Sequence, residues 1–400
     1  MSKKIGILTG GGDCGGLNAA IEAVVKSARN LGWGVYGIRR GWEGLVFGNM
    51  FPLDVPYVDG IHSHTGTVLQ TSRTNPFKFS GKLDGRTMDK EDVSAQVVKN
   101  IGNSGLEAII ACGGDDTLGV IPNLICRYGN SLPTTFVGVP KTMDGDLQRY
   151  SLGLDTAINR AKQVLEDFIP ILKANGSIGI VELFGRDVGR VTFKAGIASG
   201  ADVILIPEVP VDLGYTCDFI ADKYNKRAGN NNGISYVLIA VAEGTNHPLT
   251  GEQVYQNTGA DSFGHGKLGD VSGVLAKLIY ERLKNDPRIK RHTRQLDIKT
   301  EKPTYHVRGG KTSYYDSYVG QKLGLAAIKY IKEGAESGMA VVNFNEYGEV
   351  ELMSISQLVE PRVVSPVALG LFGNSGLYCF GRRPEELAAN NYALIQNRVA

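Results

Sequence analysis

Short apolar runs and amphipathic segments alternate along the first third of the chain. Lys4 to Thr9 predicts a buried strand, Leu17 to Leu31 places apolar residues at helical spacing, and Val35 to Ile38 predicts a second strand. Leu106 to Cys112 and Thr135 to Val139 are two more apolar runs of strand length. A strand, a helix and a strand in this order predict a parallel sheet with right-handed crossovers.

A second α/β pattern begins near Leu152. It predicts a helix at 156–172, strands at 178–182, 203–206 and 235–241, and a helix around 269–283. The stretch from Met50 to Lys90 is polar and is expected to be irregular, and a helix at 321–332 and segments at 340–344 and 350–353 follow later. Because both halves place charged residues at the ends of predicted strands, we expect two similar α/β lobes facing a cleft.

Composition narrows the classes of function. The chain has 400 residues, of which 42% are hydrophobic, and its net charge of +2 provides no general attraction to nucleic acid or to a membrane. The start, Met1 to Ile5, lacks the apolar segment of a signal peptide, and no apolar run approaches the ~20 residues that span a bilayer. We expect a cytoplasmic protein whose five scattered cysteines are reduced and buried.

Three glycine-rich or acidic loops follow predicted strands: Gly10 to Gly16, Gly113 to Thr117 and Pro140 to Asp146. The carboxyl ends of parallel strands form the edge where open α/β sheets bind ligands. A single Asp in a loop is usually a turn residue, but these loops carry four carboxylates beside a lysine, namely Asp115, Asp116, Asp144, Asp146 and Lys141. Phosphoryl transfer needs a cation, a positive side chain and a carboxylate base. The loops therefore predict a metal–phosphate or acid–base site.

The glycine spacing also matches a dinucleotide-binding fingerprint. Gly10, Gly12 and Gly15 stand between a strand and a helix, as that fingerprint requires. The acidic residue expected ~20 positions later is missing, and Arg39 and Arg40 stand where they would suit a 2′-phosphate. An NADP-dependent dehydrogenase is therefore an alternative, although it leaves the four aspartates unexplained.

Five motifs together resemble the phosphofructokinases. They occur in the family's order and spacing over about residues 3–335: Gly11-Gly12-Asp13, Gly113-Gly114-Asp115, Pro140-x-Thr142-x-Asp144-x-Asp146, Gly185-Arg186 and Arg308-Gly309-Gly310. The resemblance implies two Rossmann-like lobes and homodimers or homotetramers. The larger lobe, at 1–152 and about 306–360, would bind the phosphoryl donor and Mg²⁺. The smaller lobe, at 153–305 and about 361–400, would bind fructose 6-phosphate.

The same resemblance implies roles for individual residues. Asp144 would be the general base on the sugar 1-hydroxyl, Asp115 would hold Mg²⁺, and Arg186 would be catalytic as well as substrate-binding. Asp146, Thr142 and Lys141 would support the transfer. The donor-binding residues would be Gly11, Gly12, Arg73, Gly114, Asp116, Thr117 and Lys141. The substrate-binding residues would be Thr142, Asp144, Asp146, Phe184, Gly185, Arg186, Glu243, Lys299, Tyr305 and Arg308.

Two positions favour pyrophosphate as the donor. ATP-dependent members of the family have glycine at the positions of Asp116 and Lys141, and the residues found here follow the pattern of pyrophosphate-dependent members. The physics agrees, because the Asp116 carboxylate would repel a nucleotide α-phosphate and Lys141 would add a charge for compact pyrophosphate. We therefore expect reversible, Mg²⁺-dependent phosphorylation of fructose 6-phosphate by pyrophosphate, with an ATP-dependent enzyme as the alternative.

Departures from the family pattern concern the sugar and the regulation. Phe184 replaces a usual Met, Ser177 and Lys299 replace phosphate-binding arginines, and Ser317 replaces another Arg. A kinase of a different sugar phosphate, such as sedoheptulose 7-phosphate, is therefore a second alternative, and a non-catalytic binder is a third. Glu22 stands where allosteric members carry an effector-binding Arg, so we expect no activation by ADP and no inhibition by phosphoenolpyruvate.

Overall fold

A computed structural model describes residues 2–230, 233–260, 266–293, 295–343, 349–360 and 362–388. The strands are β1 Lys4–Thr9, β2 Gly34–Ile38, β3 Met50–Pro52, β4 Phe79–Leu83, β5 Arg86–Glu91, β6 Ala108–Gly113, β7 Thr135–Pro140, β8 Ile178–Leu183, β9 Val203–Leu205, β10 Val237–Ala242, β11 Tyr255–Ala260, β12 Gly266–Leu268, β13 Ile298–Glu301, β14 Met339–Asn343 and β15 Val350–Ser354. Phe344 and the segment 389–400, which the sequence assigned to a strand segment and to the smaller lobe, lie outside the described residues.

The helices alternate with the strands in both halves of the chain. They are α1 Leu17–Asn30, α2 Trp42–Phe47, α3 Val55–Val58, α4 Ser94–Ser104, α5 Asp115–Leu118, α6 Val120–Tyr128, α7 Leu154–Asn175, α8 Arg190–Ser199, α9 Leu213–Asn230, α10 Val271–Leu283, α11 Pro287–Lys290, α12 Tyr314–Lys332, α13 Ile355–Leu358, α14 Pro366–Gly373 and α15 Pro384–Ala388. None of these described helices is long and apolar enough to cross a membrane.

The chain divides into two compact units. The first unit comprises Met1–Ala157 with Arg308–Pro361, and the second comprises Ile158–Val307 with Arg362–Ala400. A seven-stranded sheet of order β15-β14-β7-β6-β1-β2-β3 forms the centre of the first unit, and only its two outermost strands are antiparallel to their neighbours. The second unit contains a parallel sheet of order β13-β8-β10-β9. The predicted α/β fold class is confirmed.

Helices cover the first unit's sheet on both faces. Helices α1 and α12 pack on one face, with Ile5, Ile7 and Ile110 in the buried core beneath them. These two helices approach closely, since a Cβ at Gly320 would lie 2.4 Å from the carbonyl oxygen of Gly16. On the other face Leu8 and Ile109 pack with residues of α4 and α6. The buried strands therefore read as nearly continuous apolar runs, which is why the sequence pattern predicted them.

Three expectations about local structure were wrong. The stretch at 50–90 is not irregular throughout, because it contains β3, α3 and the antiparallel hairpin β4–β5. The sequence pattern predicts a helix from Leu118 to Tyr128, but helical structure begins at Asp115, so both acidic residues lie in the first turn of α5. All five cysteines are free, but Cys126 is exposed while the other four are buried.

Candidate active site

The glycine loop between β1 and α1 is held by the segment that precedes Arg73. The Gly11 N–H donates to the carbonyl oxygen of Ser72 at 2.8 Å, and the Thr71 hydroxyl donates to that of Gly11 at 2.6 Å. Gly11 has a φ of +80°, which is a left-handed conformation that favours glycine. The irregular segment 65–73 and the glycine loop therefore form one continuous surface of the first unit.

Lys141 crosses this loop as a buried cation. Its Nζ donates to the carbonyl oxygen of Gly12 at 2.7 Å, and the residue is only 4% exposed. A Cβ at Gly11 would lie 2.9 Å from that Nζ, and a Cβ at Gly12 would lie 2.9 Å from a terminal nitrogen of Arg308. Burial lowers the pKa of Lys141, and the nearby charges of Arg308 and Arg73 act in the same direction. Lys141 and Arg308 thus contact the space above these two glycines, and Arg73 adds a third positive charge near Lys141.

The turn at Gly113 to Thr117 lies directly beside this cluster. The Lys141 N–H donates to the carbonyl oxygen of Gly113 at 2.9 Å, while a Cβ at Gly114 would lie 3.4 Å from the carbonyl oxygen of Lys141. Asp115 and Asp116 are exposed, whereas Thr117 is buried. Gly114, the residue before α5, supplies no side-chain cap to the first N–H groups of that short helix.

The loop after β7 adds the acidic side of the site. Burial raises the pKa of Asp146 to about 7, with further contributions from the charges of Asp144 and Asp115. The charges of Asp144 and Asp115 therefore both act on Asp146. The Asp144 N–H donates to the Thr142 hydroxyl at 3.2 Å, and Asp146 Oδ1 has no hydrogen-bond partner in the described part of the chain. The first unit therefore places predicted donor, metal and base residues on one sheet edge.

The second unit brings part of the predicted sugar site together. Phe184 to Arg186 follow β8 and Glu243 follows β10, its neighbour in the sheet. The Glu243 N–H donates to the Leu183 carbonyl oxygen at 2.9 Å, and the Gly244 N–H donates to that of Gly185 at 3.0 Å. Gly185 has a φ of +140°, and a Cβ there would lie 2.9 Å from the carbonyl oxygen of Val188. Backbone contacts therefore hold these two loops side by side.

Lys299 does not join that group. It pairs in the sheet with Gly179, at the start of β8, so Phe184 lies five residues further on, or about 16 Å at ~3.3 Å per residue. Its Nζ forms an ion pair with Asp297 at 2.6 Å, and the Ser177 hydroxyl donates to the same carboxylate at 2.7 Å. Within the second unit Lys299 therefore lies apart from Arg186, because β13 ends before it reaches that edge, and its assignment to the sugar phosphate stays a prediction.

Tyr305 and Arg308 have different surroundings, although they are close in sequence. Tyr305 is 75% exposed in a short helical turn, Thr304–Val307, of the second unit. Arg308 belongs to the first unit, beside Gly12 and Lys141. The structure thus places a residue predicted for the sugar among the predicted donor residues.

Arg39 and Arg40, on which the NADP alternative depends, both contact other side chains of the protein. Arg40 Nε lies 2.6 Å from Glu43 Oε1, and the Arg39 guanidinium lies 4.3 Å from the ring centroid of Phe51. A 2′-phosphate would have to replace the Glu43 carboxylate. This geometry leaves the dehydrogenase interpretation without a structural argument.

Comparison with known proteins identifies the family. The family described as Phosphofructokinase matches residues 4–331, well over half of the chain. The chain belongs to the phosphofructokinase family. It is 38% identical to a pyrophosphate–fructose 6-phosphate 1-phosphotransferase of Streptomyces coelicolor, covering 83% of this chain and 88% of that protein. It is also 33% identical to ATP-dependent 6-phosphofructokinase 2 of Clostridium perfringens, covering 88% and 92%.

Solved phosphofructokinase structures share the fold. A structure of a pyrophosphate-dependent phosphofructokinase from Marinobacter aquaeolei matches with a TM-score of 0.70 at 17% identity, covering 100% of this chain and 92% of that one. The resemblance drawn from the five motifs is therefore confirmed at the level of family and fold. Relatives named for either donor occur at similar identities, so the donor has to be argued from the residues of this chain.

Sequence reasoning missed two side chains that support the site. Trp42 is buried, and its indole N–H donates to the Thr117 carbonyl oxygen at 2.9 Å, bracing the turn that carries Asp115 and Asp116. Asp316 is buried beneath the loop after β7. The signal for it was present as Ser313-x-x-Asp316, a helix-capping pattern, and the Ser313 hydroxyl does accept the Asp316 N–H at 3.2 Å.

Proposed function

We propose that this phosphofructokinase transfers a phosphoryl group from pyrophosphate to the 1-hydroxyl of fructose 6-phosphate, reversibly and with Mg²⁺. The observation that carries the donor choice is the position of Lys141. Its buried amine lies over Gly11 and Gly12 and adds to the charges of Arg73 and Arg308. A compact anion with several charges suits such a cluster, because charge-assisted hydrogen bonds are the strong ones.

Asp116 supports the same choice by repulsion. It is exposed at the start of α5, next to Asp115. A nucleotide would bring an additional phosphate and a base past this carboxylate, whereas pyrophosphate ends at two phosphates. Thr117, Gly114, Gly11 and Gly12 complete the proposed donor-binding set through backbone N–H groups and close approach.

The first unit's carboxylates fit Mg²⁺. Mg²⁺ prefers oxygen ligands and is usually held by one or two carboxylates together with water and substrate phosphates. In the described residues no three His, Cys, Asp or Glu side chains are arranged to hold an ion by themselves, so Asp115 would share the ion with phosphate oxygens. The charges of Asp144 and Asp115 contribute to the raised pKa of Asp146, and a cation bound nearby would offset the repulsion among these carboxylates. When bound, Mg²⁺ would neutralise charge on the transferring phosphoryl group.

The protein's own residues then carry the acceptor step. Asp144 takes the proton of the sugar 1-hydroxyl as that oxygen attacks the transferring phosphorus, the bond from this phosphorus to the bridging oxygen of pyrophosphate breaks, and phosphate leaves. The Asp144 N–H is held by the Thr142 hydroxyl. Lys141 stabilises negative charge on the donor. On the sugar side we propose Arg186, Gly185, Glu243, Phe184, Tyr305 and Arg308 as contacts, with Arg186 also acting on the reacting phosphoryl group. A homodimer or homotetramer is part of this proposal.

We also propose that the enzyme lacks the effector response of allosteric relatives. Glu22 is buried on α1, where Lys26 Nζ and His62 Nδ1 lie 2.7 and 2.9 Å from its carboxylate. A phosphorylated effector at this point would meet a negative charge that is already paired. A clear shift of the sugar saturation curve on adding ADP or phosphoenolpyruvate would contradict this proposal.

The test is a matrix of donors against acceptors with Mg²⁺. Initial rates would be compared for pyrophosphate and ATP, each with fructose 6-phosphate and sedoheptulose 7-phosphate. We expect the highest kcat/KM with pyrophosphate and fructose 6-phosphate, and formation of pyrophosphate from fructose 1,6-bisphosphate and phosphate in the reverse direction. A preference for ATP would overturn the donor argument, and a preference for the larger sugar would overturn the acceptor assignment.

A further inference from the structure

Asp316 is a fully buried carboxylate in the first turn of α12, outside the loops proposed to touch substrates. It is 0% exposed and accepts four hydrogen bonds. Tyr150 Oη and Gly153 N donate to Oδ1, each at 2.8 Å, while Thr156 N and Oγ1 donate to Oδ2 at 2.7 and 2.6 Å. All four donors are neutral and lie within residues 150–156. Such a buried, fully satisfied network fixes one arrangement of its members.

Residues 150–156 close the base of the loop that carries Lys141, Asp144 and Asp146. The Leu152 N–H donates to the Pro140 carbonyl oxygen at 3.0 Å, and the Ser151 hydroxyl donates to that of Thr142 at 2.7 Å. Tyr150 and Gly153 flank these two residues, so Asp316 holds the returning segment on both sides of its contacts. Losing the carboxylate would free that segment, and the loop at 140–146 with it, without altering the chemistry of any proposed substrate-binding side chain.

Asp316 and its hydrogen-bond donors also lie against the glycine loop. A Cβ at Gly15 would lie 2.3 Å from Thr156 Oγ1, and a Cβ at Gly16 would lie 2.9 Å from the carbonyl oxygen of Asp316. The Cys14 thiol donates to the Leu152 carbonyl oxygen at 3.4 Å. The glycine loop, the loop after β7 and the start of α12 therefore meet without spare space around Asp316.

We propose that Asp316 is a positioning residue that sets the distance between the glycine loop and the loop at 140–146. Its catalytic consequence rests on the function proposed above, because phosphoryl transfer depends mainly on positioning and electrostatic stabilisation. A displacement of about 1 Å away from the chemistry can cost ~10²-fold in rate. Asp316 would act only through Tyr150, Gly153 and Thr156, and it would touch neither substrate.

Three variants test this, with one control. Asp316→Asn keeps the size of the side chain but turns an N–H₂ group towards two of the four donors. Thr156→Val removes one hydroxyl donor at constant shape, and Thr156→Ser restores it. Ile101→Ala, in the buried core at α4, is the control that lowers stability without touching the network. Each variant would be assayed well below its unfolding temperature, with hydrogen–deuterium exchange measured over residues 140–156.

We expect kcat to fall ~10–100-fold in Asp316→Asn and less in Thr156→Val, with both KM values within about threefold of wild type. Thr156→Ser should regain most of the rate, and exchange at 140–156 should rise in the two impaired variants but not in Ile101→Ala. Unchanged exchange, or a kcat loss matched by the control, would overturn the proposal. A wild type that uses no donor would refute the proposed function, whereas the exchange pattern would still decide whether Asp316 holds the two loops.

Discussion

The two units hold their strand-end loops in different ways. In the first unit the loops are held by side-chain hydrogen bonds. Lys141 donates to the Gly12 carbonyl oxygen, and Asp316 accepts four hydrogen bonds from the segment that follows the loop at 140–146. In the second unit the loops after β8 and β10 are joined by backbone hydrogen bonds at Gly185 and Glu243. The contacts in the first unit thus hold charged side chains in position, whereas those in the second hold the backbones of two loops side by side. We expect substitutions in the first unit to act on kcat or on the KM for pyrophosphate, and those in the second mainly on the KM for the sugar.

The largest expected effect is on the proposed base of the first unit. Asp144→Asn removes the proton acceptor at nearly constant size, and general-base catalysis typically contributes ~10²–10⁴-fold. We expect kcat to fall by that factor, with little change in sugar KM, in steady-state assays with pyrophosphate. A rate equal to wild type would remove Asp144 from its role.

Arg186→Ala tests the second unit. A charge-assisted hydrogen bond contributes about 1.5–3 kcal/mol, so we expect sugar KM to rise ~10–100-fold while pyrophosphate KM stays within about twofold. Because Arg186 is also proposed to act on the reacting phosphoryl group, kcat should fall as well. The matched control is Arg382→Ala, a partly exposed arginine of the same unit that pairs with Glu386. If both KM values rose together in Arg186→Ala, the division of labour between the units would be wrong.

A pair of glycine substitutions sharpens the comparison. In Gly11→Ala the new Cβ meets the Lys141 amine, and in Gly185→Ala it meets the Val188 carbonyl oxygen. We expect an increase in KM of roughly tenfold for pyrophosphate in the first variant and for the sugar in the second, from one weakened charged contact. Gly105→Ala also places a side chain at a positive φ but has open space around its Cβ, so it should leave both KM values unchanged. Identical effects of the two active-site variants would contradict the comparison.

The smallest effect concerns stability and pH. Burial acts to raise the pKa of Glu22, but hydrogen bonds from Lys26 and His62 outweigh it and hold that pKa below the ordinary 4.5. A carboxylate with a lowered pKa stabilises the fold above its unfolded pKa, and that contribution is lost as pH falls through the folded pKa. Glu22→Gln should therefore lower the free energy of unfolding at pH 7 by about 1–3 kcal/mol, with the difference shrinking below pH ~4.5.

Denaturant titrations at several pH values would measure that difference. Glu281→Gln, which breaks an exposed pair with Lys284, should change stability far less at any pH. A gap between wild type and Glu22→Gln that grows as pH falls would have the wrong sign and would contradict the assignment.

Much of the fold could be predicted because the sheet strands are buried on both faces and read as apolar runs. The hairpin β4–β5 was missed because its second strand is mostly exposed and polar, so neither period nor composition marks it. Helix α8 was missed because Arg190 to Ser199 mixes small and polar residues with weak periodicity. These elements are determined by tertiary contacts rather than by local pattern.

The candidate site was predictable where function and topology coincide. The motifs at Gly11, Asp115 and Asp144 all follow parallel strands, so the sheet itself brings them to one edge. Lys299 was assigned only as the replacement of a family arginine, and the register of β13 places it beside the start of β8, away from Arg186. The capping pattern marks Asp316 as the start of a helix, but its contacts with the loop after β7 could not be assigned from sequence, because its partners lie about 160 residues away.

The most direct test of the central claim is the donor selectivity of Asp116→Gly/Lys141→Gly beside wild type. The measured quantity is kcat/KM for pyrophosphate divided by kcat/KM for ATP, with fructose 6-phosphate as acceptor. The account predicts that wild type favours pyrophosphate and that the ratio falls by about 10²-fold or more in the double variant, since one attractive and one repulsive charge are removed together. A wild type that already prefers ATP, or a ratio unchanged by the double substitution, would contradict it.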